Sequence, residues 1–409
     1  MMNDDTSIPI MEVAQVANRC MEEVDIQLLP SSDPSTIAST VQNMSSLKSV
    51  DISSLNAREG QLTWNTPAVQ TFFETLGALP KLRKIQFKFL GGGDLDNAIP
   101  LRLFTSLLQQ SAAAKSLESF RLVLVGPITC TIEEAREFSQ ALRRQVNLRD
   151  FRMSSCYLAH EMLTAAATTT TDANFIMDPI LQALATLPSL QTVSMKAASK
   201  GHLGNVNSES IGALCRSVTV KDVSLDNLVL LNSHISAVSQ ALSLPNAILE
   251  DLYLNLTSEL KINTTMLPEV LRHNKSLKKL QMRLSNQTDI NNFLFNMATA
   301  LKHNTTLKEF GVFGSIKMKD QVEEAFVEML ESNCILEALV MPSNHAGNRR
   351  EKIDFLLYLN GRGRERLLRQ SESINQDEWI TLFANARHDI NFVYYYLRID
   401  PSLCHKLMA

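Results

Sequence analysis

The stretch LKHNTTLKEFGV occupies residues 301–312, and LRHNKSLKKLQM at residues 271–282 is a close copy of it. In each copy a leucine is followed three and five residues later by apolar residues, as when Leu277 is followed by Leu280 and Met282. Apolar residues at alternate positions are typical of a strand with one buried face. The pattern therefore predicts a short strand in each copy, with the polar residues on the opposite face.

The same pattern occurs ten times, and successive copies begin 28 to 42 residues apart, most of them near 30. A repeat of this length indicates stacked units, each of which buries its apolar side only against its neighbours. The copies are Leu47, Val50, Ile52; Leu82, Ile85, Phe87; Leu117, Phe120, Leu122; Leu148, Phe151, Met153; Leu190, Val193, Met195; Val220, Val223, Leu225; Leu249, Leu252, Leu254; Leu277, Leu280, Met282; Leu307, Phe310, Val312; and Leu336, Leu339, Met341.

Between the strands, apolar residues recur at helical spacing. The clearest case is residues 321–330, where Val322, Phe326, Met329 and Leu330 fall on one stripe. Similar stripes occupy residues 69–79, 135–142, 180–187 and 293–301. One strand and one helix per unit, repeated in the same direction, predict a parallel sheet.

Asparagine recurs where a helix meets the next strand, at Asn274, Asn304 and Asn333. Asparagine tolerates the left-handed backbone conformation that often ends a helix, and its side chain can bond to nearby backbone. We therefore predict that these residues end their helices.

These residues carry a family resemblance. The strand motif, together with LKHNTTLKEF and EMLESNCIL, resembles leucine-rich repeat proteins of the ribonuclease-inhibitor-like class and the repeats of tropomodulin-type proteins. The resemblance implies an α/β solenoid, a horseshoe with parallel strands on the concave face and helices outside. In this class an asparagine usually follows the last leucine of each strand. Here it is present only at Asn255, so we expect an irregular horseshoe without a regular row of asparagines at that position.

Four segments are predicted along the chain. Val24 to Leu28 alternates like a strand, Asp33 marks a helix start, and the chain after Met341 is rich in aromatic residues and helical spacing. The segments are a flexible N-terminal segment at 1–20, a degenerate capping unit at 21–46, about ten leucine-rich repeats at 47–342, and a helical C-terminal cap at 343–409. The low-complexity residues 164–173 and the glycines at 91–93 are expected in loops, as are residues 343–350.

Composition limits the classes of partner. The chain has a net charge of -4, which gives no overall attraction to nucleic acid or to an anionic membrane. It has no apolar run of about 18 residues and no C-x-x-C pair, and residues 1–10 lack the basic and apolar pattern of an export signal, so we expect none. We expect a monomeric protein of the cytoplasm, with the nucleus as the alternative, that binds neither nucleic acid nor membrane.

No motif with catalytic or metal-binding spacing occurs in the sequence. H-E-x-x-H, G-x-S-x-G and the phosphate-binding G-x-x-x-x-G-K-S/T are all missing. We therefore expect no enzyme activity, no catalytic residue, no metal and no cofactor.

The informative positions are the polar ones that alternate with the core residues of each strand. They predict a basic region at Lys84, Lys88, Arg121 and Arg152, and an acidic region at Asp222, Asp226 and Asp251 around Tyr253. Exposed strand positions are polar in any soluble protein, so polarity alone does not require a ligand. The candidate partner-binding residues on the concave face are Lys84, Lys88, Arg121, Arg152, Tyr253, Lys279 and Arg283.

The expected function is a non-catalytic scaffold that binds another protein through its concave face. Two alternatives remain open at this point. One is the substrate-recognition adaptor or sensor subunit of a ubiquitin-ligase or immune-type complex. The other is a GTPase-activating protein of the leucine-rich repeat type.

Overall fold

Strands and helices alternate along the chain. The computed structural model describes residues 22–28, 33–55, 64–90, 98–124, 127–159, 177–197, 206–228, 230, 232–256, 263–284, 290–314, 316–341, 348–361, 364, 394 and 397–398. The strands there are β1 (Glu23–Leu28), β2 (Ser49–Leu55), β3 (Lys84–Leu90), β4 (Ile99–Pro100), β5 (Ser119–Leu124), β6 (Pro127–Thr129), β7 (Asp150–Ala159), β8 (Thr192–Ala197), β9 (Asp222–Asp226), β10 (Asp251–Leu256), β11 (Lys279–Leu284), β12 (Glu309–Phe313) and β13 (Ala338–Val340).

The helices of the same ranges lie between these strands and after the last of them. They are α1 (Pro34–Gln42), α2 (Pro67–Ala78), α3 (Leu101–Leu108), α4 (Ser111–Ser116), α5 (Ile132–Arg143), α6 (Met177–Ala185), α7 (Ser208–Cys215), α8 (Asn232–Leu242), α9 (Met266–His273), α10 (Ile290–Leu301), α11 (Asp320–Ser332) and α12 (Asn348–Gly361). The five helical stripes predicted between the strands coincide with α2, α5, α6, α10 and α11, although the stripes at 69–79 and 180–187 extend one and two residues past the ends of α2 and α6.

One parallel ladder of eleven strands runs through the fold, in the order β1-β2-β3-β5-β7-β8-β9-β10-β11-β12-β13. Every predicted strand motif lies on this ladder, so the prediction of parallel strands is confirmed. The register is the one that the motif predicts, since Leu252 lies opposite both Val223 and Leu280. Short strands β4 and β6, which the motif does not predict, pair with each other, and β6 also pairs with β7.

The helices cover one face of the ladder. Leu280 and Phe310 on the strands are at most 1% exposed, and they belong to the same buried cluster as Phe326 of α11. The rings of Phe310 and Phe326 stack with their centroids 6.1 Å apart. Residues that alternate with these on the strands lie on the other face, which we call the open face.

Local sequence sets the helix starts. Asp33 accepts hydrogen bonds from the backbone of Ser35 and Thr36 at the start of α1, as its position in the sequence predicts. Thr131 and Glu134 form a reciprocal capping box at the start of α5. These caps satisfy N–H groups that the first helical turn leaves without partners.

The asparagines at the helix ends connect neighbouring units. The Asn304 side chain donates to the carbonyl oxygens of Leu271 and Asn274, and its oxygen accepts from the backbone N–H groups of Thr306 and Leu307. Asn274 and Asn333 repeat this arrangement in their own units. We call the set, which Asn360 continues, the asparagine ladder.

The predicted helix-end position is confirmed for Asn274 and Asn333, which directly follow α9 and α11, whereas Asn304 lies three residues after α10 ends at Leu301. The expected left-handed backbone is wrong. Asn274 has φ -66° and ψ 135°, and Asn333 has φ -89° and ψ 115°, so both are extended. The extended backbone directs the buried side-chain amide toward the preceding unit. There it donates to carbonyl groups at the end of that unit's helix, which have no partner within the helix itself. Asn255 differs, because its amide donates to the side chains of Asp226 and Asn227 and not to backbone.

Helix α12 continues the ladder beyond the last strand. Asn360 donates to the carbonyl oxygens of Asn333 and Leu336, and the buried Arg364 donates to those of Leu330 and Glu331. Helix α12 lies within the segment at 343–409 that the sequence predicts as a helical cap. The loop predicted at 343–350 is wrong at its end, because the helix already begins at Asn348.

Some predictions fall outside the described residues. These are the flexible segment at 1–20, the glycines at 91–93, the low-complexity stretch at 164–173 and most of the tail after residue 364. Within the tail, Leu397 packs against the core cluster and Tyr394 is 66% exposed.

Candidate functional site

The open face carries its residues, most of them polar, in straight rows across the strands. The middle row is Asp51, Gln86, Arg121, Arg152, Ser194, Ser224, Tyr253, Gln281, Gly311 and Val340. A first row, two residues earlier on each strand, holds Lys84, Asp150, Asp222, Asp251, Lys279 and Glu309. A third row, two residues later, holds Lys88, Lys196, Asp226, Asn255 and Arg283. The candidate residues chosen from the sequence all lie in these rows.

Arg121 and Arg152 form a cluster around one carboxylate. Arg121 Nε donates to Asp150 Oδ2 at 2.6 Å, and Arg152 Nε donates to Asp150 Oδ1 at 2.7 Å. Ser119 Oγ also donates to Oδ2, at 2.9 Å. Burial opposes ionisation here, but the hydrogen bonds from the two arginines and Ser119 outweigh it and hold the pKa of Asp150 below its usual range.

The lysines of β3 extend this cluster toward the N-terminal end of the sheet. Lys88 Nζ lies 2.8 Å from Asp51 Oδ2, and Lys84 is exposed. We call Lys84, Lys88, Arg121 and Arg152 the basic group. Since Asp51 and Asp150 lie among them, four positive and two negative charges leave a net charge of +2. The region is basic, as the sequence predicts, but less so than its cations alone indicate.

Two aspartates lie opposite each other farther along the first row. Asp222 on β9 is paired in register with Asp251 on β10, and both are half-buried. Burial, and next the charge of Asp251, raises the pKa of Asp222, while burial also raises the pKa of Asp251. Neither carboxylate makes an ion pair within 4 Å among the described residues.

Tyr253, in the middle row, belongs to a separate polar cluster with residues of the third row. Its hydroxyl lies 3.5 Å from Asp226 Oδ1, which also accepts from Asn255 at 2.6 Å, and Lys196 Nζ lies 3.4 Å from Asp226 Oδ2. Burial raises the pKa of Tyr253, and the charge of Asp226 adds to that shift. Lys196 was not among the predicted site residues, although it occupies the same row as Lys88.

The two remaining candidates lie on β11. Lys279 Nζ is 2.7 Å from Glu309 Oε2, and this hydrogen bond raises the pKa of Lys279 against the opposing effect of burial. Arg283 is exposed and lies opposite Asn255 on one side and Phe313 on the other. Arg152 and Tyr253 are separated by three strand spacings, about 14 Å. The candidates therefore form two groups on one face, the basic group on β3 to β7 and a second group of Tyr253, Lys279 and Arg283 on β10 and β11.

The described residues show no group of three His, Cys, Asp or Glu side chains arranged to hold a metal ion. Full burial raises the pKa of Cys215 to about 12, and burial also raises the pKa of Cys130. Neither thiol is therefore an activated thiolate at neutral pH. No helix of the described part is long and apolar enough to cross a membrane.

In comparisons with known proteins, no protein-family model matches the chain, and no curated protein matches it.

Proposed function

We propose that this chain is a non-catalytic leucine-rich repeat scaffold, of the ribonuclease-inhibitor-like class, that binds another protein on the open face of its sheet. The observation that carries the proposal is the continuous eleven-stranded ladder, whose polar side chains stand in register across many units. An extended surface of this kind suits an extended protein partner.

The proposed shape follows from the sizes of the two layers. Neighbouring strands lie about 4.8 Å apart, whereas packed helices need about 8–10 Å between their axes. Units with one strand and one helix therefore curve toward the strand side as they stack. In this proposal the open face is the concave side of a horseshoe, and the basic group lies within it.

Charge supports a protein partner. The basic group and the Asp222–Asp251 pair lie on one face, so the face offers both signs of charge to a docking surface. Complementary charges of this kind set the orientation of a partner and its rate of association. The tyrosine and arginines of the face are residue types that contribute most to protein interfaces.

Site-specific crosslinking tests the proposal. Ser194 and Ser224, half-buried in the middle row, are replaced singly with the photo-crosslinking residue p-benzoylphenylalanine, and the variants are irradiated in an extract of the source cells. Glu137 on α5 and Glu328 on α11, both exposed on the helix side, provide matched control positions. We expect both sheet positions, and neither helix position, to give an adduct with the same protein. Equal adducts from both sides, or none from the sheet, would contradict the proposal.

A further inference from the structure

Arg121 and Arg152 occupy an arrangement that a sheet ordinarily avoids. They lie directly opposite each other on β5 and β7, and like charges in such positions repel. Asp150 relieves the repulsion because it accepts a hydrogen bond from each guanidinium. The carboxylate is 16% exposed, so it lies beneath the two more exposed arginine side chains.

Both arginines keep most of their donors available. Each contacts Asp150 through Nε, the inner nitrogen, and neither makes another hydrogen bond to the residues that the structure describes. A guanidinium has five N–H donors in a fixed plane, so four on each arginine remain. The side chains are 39% and 45% exposed, and these donors are accessible to a ligand. Paired donors of this geometry match the two oxygens of a carboxylate.

The surrounding charges limit the size of the anion. Lys84 and Lys88 lie on the adjacent strand β3, which makes the region from β3 to β7 positive. Asp222 and Asp251 lie on β9 and β10, and they would repel a long polyanion that continued along the sheet. A uniform polyanion such as nucleic acid fits this pattern poorly, whereas a protein segment with a local acidic stretch fits it well.

We infer that Arg121 and Arg152, positioned by Asp150, bind an acidic side chain in a short acidic segment of the partner protein. This inference rests on the proposed function and names the chemistry of the partner. Asp150 is a positioning residue, since its carboxylate orients both guanidinium groups and does not itself contact the ligand.

Peptide binding to the 409-residue chain tests the inference. The probes are the fluorescein-labelled peptides (Gly-Glu)6 and (Gly-Lys)6 and the single-stranded DNA dT12, each titrated by fluorescence anisotropy in 50 mM and 150 mM salt. We expect (Gly-Glu)6 to bind, and to bind better than dT12. Tighter binding of dT12 through the same arginines would overturn the inference in favour of a phosphate polymer, and no binding of (Gly-Glu)6 would also overturn it.

Arginine-to-lysine variants test whether binding depends on the planar guanidinium donors or only on positive charge. The double variant Arg121→Lys with Arg152→Lys keeps both charges but removes the planar donors. We expect it to bind (Gly-Glu)6 about tenfold more weakly, which corresponds to the loss of one good charge-assisted contact. The matched control replaces Arg136 and Arg143, exposed on α5, with lysine and should leave affinity unchanged. If the two double variants lost the same affinity for (Gly-Glu)6, binding would be generally electrostatic and the inference would be overturned.

The Asp150→Asn variant tests the positioning role. It makes the basic group more positive, so simple attraction predicts tighter binding of (Gly-Glu)6, whereas positioning predicts weaker binding. We expect about a fivefold loss of affinity, within the range that an oriented charged hydrogen bond provides. Unchanged or tighter binding would overturn the role of Asp150. Thermal melts of all variants establish that they fold like the wild type.

The two proposals fail in different ways. If the sheet positions crosslink to a partner whose affinity is the same for the wild type and the double lysine variant, the scaffold function stands and this inference is wrong. If (Gly-Glu)6 binds as expected but no protein crosslinks to the sheet, the anion site stands and the scaffold function is wrong.

Discussion

The side-chain amide of Asn333 donates a hydrogen bond of 3.0 Å to the backbone carbonyl of Asn304, one unit earlier in the chain. Asn304 makes the same contact with Asn274, at 3.3 Å. Each asparagine therefore hydrogen-bonds to buried backbone groups at the joint between two units. Together with Asn360 of α12, the asparagine ladder ties the last units to one another.

Removal of one member of the ladder should destabilise the protein strongly. Asn304→Ala leaves the Leu271 carbonyl and the Leu307 N–H buried without their side-chain partner. We expect the free energy of unfolding to fall by about 2–4 kcal/mol, from the usual cost of unsatisfied buried groups. Urea denaturation followed by circular dichroism measures it. The control is Asn296→Ala, which removes one half-buried bond to Thr264 and should cost about 1 kcal/mol or less. Equal losses in the two variants would contradict this account of the ladder.

Gly77 permits the close packing of α2 against α3. A Cβ atom at this position would lie 2.1 Å from the Leu107 carbonyl oxygen and 2.8 Å from Gln110 Cγ. Gly77→Ala should therefore lower stability by about 1–3 kcal/mol, as other overpacked substitutions do. Gly361→Ala in α12 is the matched control, because nothing lies within 4 Å of its Cβ position. There alanine should be neutral or stabilising by up to about 1 kcal/mol, owing to its better helix propensity. Thermal melts that rank the two variants the other way would refute the packing argument.

Strand alternation predicts opposite outcomes at neighbouring positions of β11. Leu280 is fully buried under the helices, and Leu280→Ala should cost about 2–5 kcal/mol through lost burial and a cavity. Gln281 lies next to it on the open face, and Gln281→Ala should change stability by about 0.5 kcal/mol or less. Urea midpoints of the two variants measure the difference. Similar losses would mean that the two faces of this strand are wrongly assigned.

The Asp222–Asp251 pair should make stability depend on pH. The pKa of both carboxyls is raised in the folded state, so their ionisation disfavours folding once the pH rises through the folded pKa. Asp222→Asn removes the repulsion and should stabilise the protein by about 0.5–1 kcal/mol at pH 7. The gain should shrink as the pH falls and vanish where Asp222 is protonated in both the folded and unfolded states.

Unfolding of the wild type and Asp222→Asn at pH 7 and at pH 3.5 measures this dependence. Glu23→Gln is the control, since Glu23 is an exposed residue of the same face on β1, lies opposite Ser49 and should give little change at either pH. A gain of equal size at both pH values would show that it does not come from ionisation of Asp222.

Much of the fold could be predicted because its units repeat. The leucine motif places Leu280, Phe310 and their equivalents in the core, and the structure finds them there. Helices such as the one at residues 321–330 could be predicted as well, because the 3.6-residue period of their apolar residues is a local property of the chain. The short strands β4 and β6 were missed because they have too few residues to show any period.

The candidate site was harder to predict than the fold. Alternation along a strand correctly places Arg121, Arg152 and Tyr253 on one face, because side chains of a strand point to opposite sides in turn. It gives no distance between side chains on different strands. The bridging position of Asp150 and the pairing of Lys196 with Asp226 depend on register between units and on side-chain conformation.

The sequence by itself determined which residues are buried and which face the open side, because those choices depend on periods of two and of 3.6 residues within each unit. Only the tertiary structure decided how the charges of the open face combine. Arg121 and Asp150 are 29 residues apart in the chain, yet they share a hydrogen bond because stacking brings neighbouring units into register. The asparagine ladder shows the same division: its residues stand out in the sequence, but their partners are carbonyl groups of the preceding unit.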